Sequence, residues 1–399
     1  MFYKKAFIMK KIVFFFLTVS LFINCDKKAE IVSTVTIKNN LSIDREFETV
    51  ELDISSVSLE ETFGLVVLDA ENKVVTSQIV DTDLDGKNDV ILFQPYIKAN
   101  DTKTYTLSIS DEKKDSITDY CYSRFVPERT DDYTWENNRV AFRTFGPVAQ
   151  KMVEDGIKGG TLSSGIDAWL KRVEYPIINT WYKRNDVKKG AYHKDYGEGL
   201  DNFHVGVSRG IGGTAVKVDT SYYFSKNYTS YKTITTGPIR TSFILTYTTW
   251  DANGKQIDET KHVSLDYGQN LTRFEIDING TETISSGITL HKKKGVTNED
   301  DANFWVSHWE TLDDSEVGTG IVTTKPYFSG SEKYVTSRKD ESNHFLHLNI
   351  LDHKVVFYSG FGWVKSKQFN NQQEWENYLT DFSKKINSPL IVTKNQINL

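Results

Sequence analysis

The chain has 399 residues and a formal net charge of −6, with both signs mixed along its length. That length buries a large core in more than one domain, and the charge balance argues against a nucleic-acid partner, because phosphate binding needs clustered Lys and Arg. Aromatic content is 13%, which points first to a β-rich core, since aromatics favour strands and buried rings serve packing; platforms for stacking sugar rings are the functional alternative.

The N-terminus reads as a targeting segment. Lys4, Lys5, Lys10 and Lys11 precede the apolar run IVFFFLTVSLFIN. The run is too short for a comfortable membrane span and has the form of a signal-peptide core. Its end, Leu21-Phe22-Ile23-Asn24-Cys25, resembles a bacterial lipobox. The expected arrangement is a signal peptide over 1–24, lipid-modified Cys25, and a short anchored linker over 25–30. The protein is then exported and held at a membrane by its lipid alone, facing the periplasm or the outer surface. Only Cys121 remains, so the mature chain has no intrachain disulfide.

Residues 31–115 read as a small β-sandwich domain. VSTVTIKNN, ETVELDIS, FGLVVLDAENKVV, DVILFQPYI and TKTYTLSIS alternate apolar and polar residues or form short apolar runs. Within this domain, DTDLDGKND places Asp81, Asp83, Asp85, Gly86 and Asp89 at calcium-loop positions 1, 3, 5, 6 and 9. Position 12, however, is Leu92 where a bidentate Glu belongs, and strands flank the loop. A structural Ca²⁺ on Asp81, Asp83 and Asp85 competes with a plain polar hairpin. The charged stretch from Asp111 to Asp119 is the expected linker.

A second unit is expected over 120–399. It opens with RFVPERTDDYTWENNRVAFRTFG, where RVAFRTFG predicts a strand with Arg139, Ala141 and Arg143 on one face. Two Arg there either bind a carboxylate or sulfate or pair with neighbouring acids. GTLSSGIDAWLKRVEYPIINTWYKRND has helical spacing, with Ser164 as cap and Ile166, Trp169, Leu170 and Val173 on one face, ended or kinked at Pro176.

Next comes YHKDYGEGLDNFHVGVSRGIGG, residues 192–213. It combines His193, Asp195, Glu198, Asp201, His204 and Arg209 with many Gly and no run able to fill a core. Such loops let backbone approach a ligand closely. Three chemistries compete: a metal site, for which the HxD spacing is weak evidence; a hydrolase using a carboxylate pair such as Glu198 and Asp201; and an elimination enzyme with His or Tyr as base, Tyr as acid and Arg as carboxylate partner. GIGG at 210–213 is no dinucleotide fingerprint, since it lacks the full motif and opens into strand-like TAVKV.

Long β patterns follow at TAVKVDTSYYF, RTSFILTYTTW, KHVSLDY and LTRFEIDI, then at SGITLHKK, GTGIVTT, NHFLHLNI and KVVFYSGFGW. The chain closes on an amphipathic helix, QQEWENYLTDFSKKI, with Trp375, Leu379, Phe382 and Ile386 on one face. So many strands with so few helices predict a mainly β protein built on a large antiparallel sandwich.

SGIDAWLKRVEYPIINTWYK, YHKDYGEGLDNFHVGVSRGIGGTA and PERTDDYTWENNRVAFRTFGP together resemble a Bacteroidota family long known as a domain of unknown function. Its marine members include an ulvan-active oligosaccharide dehydratase. The resemblance runs from about residue 31 onward, and the family pattern often has His where this chain has Tyr196. It implies a β-supersandwich of the galactose-mutarotase type. It also implies loss of water across C4–C5 of a terminal uronic acid on a short ulvan oligosaccharide, with no cofactor required.

That chemistry needs a base at the C5 proton, an acid at the departing hydroxyl, and positive charge at the carboxylate. On chemical grounds His193 is the expected base and Tyr192 the acid. Arg143 or Arg209 would receive the carboxylate, and Asp195 or Asp201 would orient His193. Glu198, Arg139 and His204 are further candidates for holding substrate. A polysaccharide lyase, a glycosidase or an epimerase on the same scaffold, and a non-catalytic glycan-binding lipoprotein, are the alternatives.

Overall fold

The structure, a computed structural model, describes residues 30–57, 62, 64–110, 118–291 and 294–396. The signal peptide, Cys25 and most of both expected linkers lie outside these residues. No helix among the described residues is long and apolar enough to cross a membrane.

The N-terminal sandwich forms where the alternating runs predict it. Strands Glu30–Lys38, Leu65–Leu68, Val74–Val75 and Thr102–Ile109 build one sheet, and Val50–Asp53, Ser77–Val80 and Val90–Phe93 build the facing one. Val35, Ile37, Leu52, Leu65, Ile91, Phe93 and Leu107 fill the space between them. The last strand of the chain, Ile391–Gln396, pairs antiparallel with Glu30–Lys38. The expected unit 120–399 therefore surrenders its final strand to the N-terminal sandwich.

The larger unit is a mainly β, antiparallel stack of three sheets. The central sheet has nine strands, among them Arg240–Thr246, Lys255–Asp266, Leu271–Asn279, Lys354–Trp363 and Ser315–Thr323. A five-stranded sheet contains Ile211–Val218, Thr283–Thr289, Asn343–Asn349 and Phe328–Tyr334, edged by Ser221–Tyr223. The third sheet orders Gly199–Leu200, Asp167–Lys171, Ala141–Thr144, Asp132–Glu136 and Tyr122–Val126. One core joins them: Trp135 stacks on Phe142, which meets Phe361 edge-on. Each such buried ring contributes on the order of 1.5–3 kcal/mol.

Besides the short helix Pro147–Glu154, two helices among the described residues cover outer faces. Gln372–Asn387 forms as its pattern predicts, capped by Asn371 and buried through Trp375, Leu379 and Phe382. The other corrects the expectation. Residues 167–171 are a strand, and the helix spans Ile178–Val187, beginning just after Pro176. The strand is buried on both faces, with Ala168 and Leu170 in the main core and Trp169 under the helix. Two-sided burial removes the alternation that marks a strand. Ser164 caps nothing; its hydroxyl donates to the Ser225 carbonyl.

Candidate active site

The Gly-dense segment 192–213 folds tightly against strand Asp167–Lys171. Gly199, at φ +116°, and Gly210, at φ +59°, lie so close to the Leu170 and Ile166 carbonyls that a Cβ would come within 1.9 Å of either oxygen. Close approach, together with positive φ, explains glycine at these two positions. The segment thus passes along the sheet edge and carries its side chains between two polar regions.

The first region is buried. The Arg143 guanidinium, 6% exposed, sits among three aspartates. Its Nη2 donates to Asp167 Oδ2 at 2.5 Å and to Asp201 Oδ2 at 2.9 Å, and Nη1 lies 3.7 Å from Asp132 Oδ2. Phe145, Trp169 and Tyr192 pack around its plane at 5.3–5.6 Å. Burial pushes the Asp132 carboxyl up to about 6 against the pull of Arg143 and Arg129. Burial and the neighbouring Asp201 charge push Asp167 well above the carboxylate range, outweighing Arg143.

This arrangement corrects two expected roles. Arg143 is buried and held by Asp167 and Asp201 through Nη2, which argues against its expected role at a substrate carboxylate. Tyr192 is 4% exposed, and its hydroxyl accepts a bond from Arg129 Nε at 3.2 Å. It serves as the wall behind His193, whose ring meets it edge-on at 4.5 Å. His193 itself reaches solvent, its side chain 55% exposed. Its Nδ1 lies 2.6 Å from the Asp201 carbonyl oxygen. A carbonyl can only accept, so Nδ1 carries the proton and Nε2 is left as the basic nitrogen. Asp201 therefore orients His193 through its backbone, while its carboxylate holds Arg143.

The other candidates disperse. Asp195 accepts from the Gly197 and Gly199 amides and pairs with Arg172 at 2.8 Å. Glu198 is held by Tyr175, Trp181 and Arg184. With Asp201 bound to Arg143, Glu198 and Asp201 do not form a free carboxylate pair, which removes the hydrolase arrangement expected there. Arg139 precedes its strand, donates to Asn270 and lies over Phe47. Arg209 is 1% exposed; it donates to Ser164 Oγ and to the Thr214 and Val207 carbonyls. Burial pulls its pKa down to about 9. Buried and held by these three acceptors, Arg209 is not brought to the cleft.

The second region is an open cleft of ≈ 780 Å³, lined by Asn202, His204, His291, Asp313, Arg338, Lys339 and Asp340 among others. His204 Nε2 lies 3.0 Å from Asp340 Oδ2. A carboxylate accepts, so the proton sits on Nε2 and Nδ1 is free to act as a base. His291 is different. Its Nδ1 faces Glu310 Oε1 at 2.5 Å and its Nε2 faces the His204 carbonyl at 2.6 Å. Both nitrogens therefore donate, and the ring is an imidazolium. Burial opposes that charge, but the bond to Glu310 outweighs it and holds the pKa above the ordinary value. Asn202 donates to Asp313 at 2.6 Å and closes the side nearest Asp201.

His291, Glu310, Asp340 and Arg338 escaped the sequence reading. A usable signal existed in the scarcity of histidine, with 8 in the chain, of which His193, His204 and His291 serve these two regions. In the N-terminal sandwich, carboxylate oxygens of Asp81, Asp83 and Asp89 converge within 4.8 Å. Asp85 turns instead to the Lys87 amide and ammonium. Asp81 already accepts from the Leu84 and Gly86 amides, and Leu92 lies in a ladder with Glu51. Three converging oxygens suit a hard cation, but the donor set falls short of a full calcium loop.

Residues 37–392 match the family model described as Domain of unknown function (DUF4861). "Uncharacterized protein P7" of Formosa agariphila is 55% identical over 387 residues, covering 95% of this chain and 98% of that protein. Among solved structures, a protein in Glycosyl Hydrolase Family 38 from Enterococcus faecalis is similar at a TM-score of 0.50 and 11% identity, over 91% of this chain and 47% of that one. An alpha-mannosidase from Enterococcus faecalis V583 gives 0.48 and 11%, over 91% and 46%. The chain thus spans about half the length of these solved proteins. At this identity the first likeness concerns the fold alone, and it agrees with the antiparallel stack of sheets described above.

Proposed function

We propose that this chain, which belongs to the DUF4861 family, is a carbohydrate dehydratase. It removes water across C4–C5 of the uronic acid at the non-reducing end of a short, ulvan-type oligosaccharide and leaves a 4,5-unsaturated uronyl end. The observation that carries this is the cleft: a histidine with one nitrogen bound to a carboxylate and the other free, set beside Arg338 and Lys339. The C5 proton is acidic because it lies alpha to a carboxylate. Taking it needs a base, and His204 Nδ1 is that base in the cleft. The charge that builds on the carboxylate is met by Arg338 and Lys339, which line the same cleft. His204 then passes that proton to the departing C4 hydroxyl, which leaves as water, so the imidazole ends the step as it began. His193 does not line the cleft and has no part in the step.

The proposed chemistry calls for no cofactor. Export on the 1–24 signal and anchoring through Cys25 belong to the same proposal, because they would place the enzyme where polysaccharide fragments arrive. A calcium ion at Asp81, Asp83 and Asp89 would be structural only.

The test is incubation with a saturated, uronate-ended oligosaccharide. The expected result is ultraviolet absorbance from the new conjugated double bond, a mass loss of one water, and no chain shortening. Absorbance with shortening would make the protein a polysaccharide lyase. Shortening without absorbance would make it a glycosidase, and binding with neither would make it a glycan-binding protein.

A further inference from the structure

The five-stranded sheet has one face in the main core, through Val216, Ile284, Leu346 and Leu348. Alternation turns Lys217, Ser285, Phe345 and His347 to the opposite face. There Tyr222 stacks on Phe345 at 3.9 Å, and Tyr334 stands edge-on to Tyr222 at 5.1 Å. Beside the rings lies a polar row. Glu332 accepts from Lys217 and from the Tyr222 hydroxyl, both at 2.5 Å, with His347 Nε2 at 3.6 Å. His347 in turn faces Ser285 Oγ at 2.8 Å. Lys217 and Glu332 are each 34% exposed in their side chains. Phe345 and Ser285 are buried beneath this layer, while Tyr222, Tyr334, Lys217, Glu332 and His347 are partly exposed over them.

Arg338 joins this face to the cleft. It lines the cleft, and it also lines the notch formed by Tyr222, Phe224, Tyr334 and Phe345. Its Nη2 donates to the Tyr334 hydroxyl at 3.1 Å while Nε pairs with Glu341 at 2.9 Å. A chain seated with its terminal uronate at Arg338 would therefore lead directly onto the rings. Sugar rings offer apolar C–H faces that suit aromatic rings, and hydroxyls that both donate and accept, which Lys217, Glu332 and His347 can answer.

We infer that this face is a saccharide platform, continuous with the cleft, which holds the sugar units that follow the terminal uronate. The inference rests on the proposed carbohydrate substrate, but not on the reaction. Binding energy collected on the platform would make the protein prefer longer oligosaccharides over a disaccharide.

The experiment is calorimetric titration with saturated, uronate-ended di- and tetrasaccharides, alongside the ultraviolet turnover assay. Wild-type protein should bind the tetrasaccharide about tenfold tighter, which is what one good aromatic contact supplies. In Tyr334→Ala the ratio of the two affinities should fall to near one. In Tyr334→Phe, which keeps the ring, the ratio should persist. Equal affinities in the wild type, absence of tetrasaccharide binding, or a loss in Tyr334→Phe matching that in Tyr334→Ala would each overturn the platform. A preserved length preference without turnover would support the platform while sinking the dehydratase.

Discussion

Asp340 governs which nitrogen of His204 is basic, and its contact at 3.0 Å makes it the sharpest test of the cleft. Asp340→Asn keeps the size but presents an amide that no longer fixes the tautomer. Turnover should fall about ten- to a hundredfold with little change in oligosaccharide affinity, the range typical for a carboxylate that orients a histidine. An unchanged rate would remove His204 from the base role. The buried cluster makes a separate prediction about stability. Asp132 has an ordinary value of 3.8 and rises to about 6 in the folded protein. The folded state thus binds more protons than the unfolded one between these values, so stability falls as pH rises through the window. The loss amounts to about 3 kcal/mol, from about two pKa units. Asp132→Asn should flatten that decline in denaturant titrations at pH 4 and pH 7; an identical slope in both proteins would refute it. Sequence reasoning found His193 and His204 because both sit in one polar, Gly-dense run. It missed Asp340 because the partner of His204 lies 136 residues further on, where only the fold brings it close.

Helix Ile178–Val187 depends on a residue from a neighbouring strand. Its N-cap position, Ile177, has no side-chain cap. Instead the Glu136 carboxylate accepts from the Ile177 and Ile178 amides at 2.9 Å. The same carboxylate pairs at 2.8 Å with Lys171, and both side chains are fully buried. Glu136→Gln should therefore cost about 3–5 kcal/mol, because it leaves a buried ammonium without its counter-charge. Adding Lys171→Met should recover much of this, since removing both charges avoids the orphan. If chemical denaturation finds the single and double variants equally weak, the ion pair is not what ties the helix to the sheet. This pairing also explains why residues 160–173 suggested a helix. Asp167, Trp169 and Lys171 all point to a buried face, where polar residues are matched by Arg143 and Glu136 and not by water. Polarity therefore stopped reporting exposure, and a strand with both faces buried lost its alternation. The closing helix was legible because its outer face does meet solvent and its inner stripe of Trp375, Leu379 and Phe382 does not.

At the scale of the molecule, the first and last strands of the described residues meet. The strands of both sandwiches were readable from alternation, but which strand joined which sheet was not, because pairing between residues 30–38 and 391–396 leaves no local mark. Arg45 strengthens this closure. It is 0% exposed, pairs with Glu48, and donates to the Ser388 and Lys385 carbonyls at 2.6 and 3.1 Å, where the closing helix ends. Gln78 provides a second tie, since it bonds Thr235 Oγ1 and the Ile239 and Arg240 amides of the larger unit. The N-terminal sandwich is therefore built on a strand supplied by the far end of the chain. Truncation after Leu390 removes the partner of residues 33–38 and exposes their unpaired edge. With each lost backbone bond contributing about 0.5–1.5 kcal/mol, the sandwich should lose on the order of 3–6 kcal/mol, a large fraction of what a domain of its size possesses. The cleft lies in the other unit and draws no residue from this sheet. The truncated protein should then become sensitive to limited proteolysis within its first hundred or so residues while retaining oligosaccharide affinity in the cleft. Simultaneous loss of both would show that the N-terminal sandwich also shapes the cleft, through the contacts of Gln78 and Arg45.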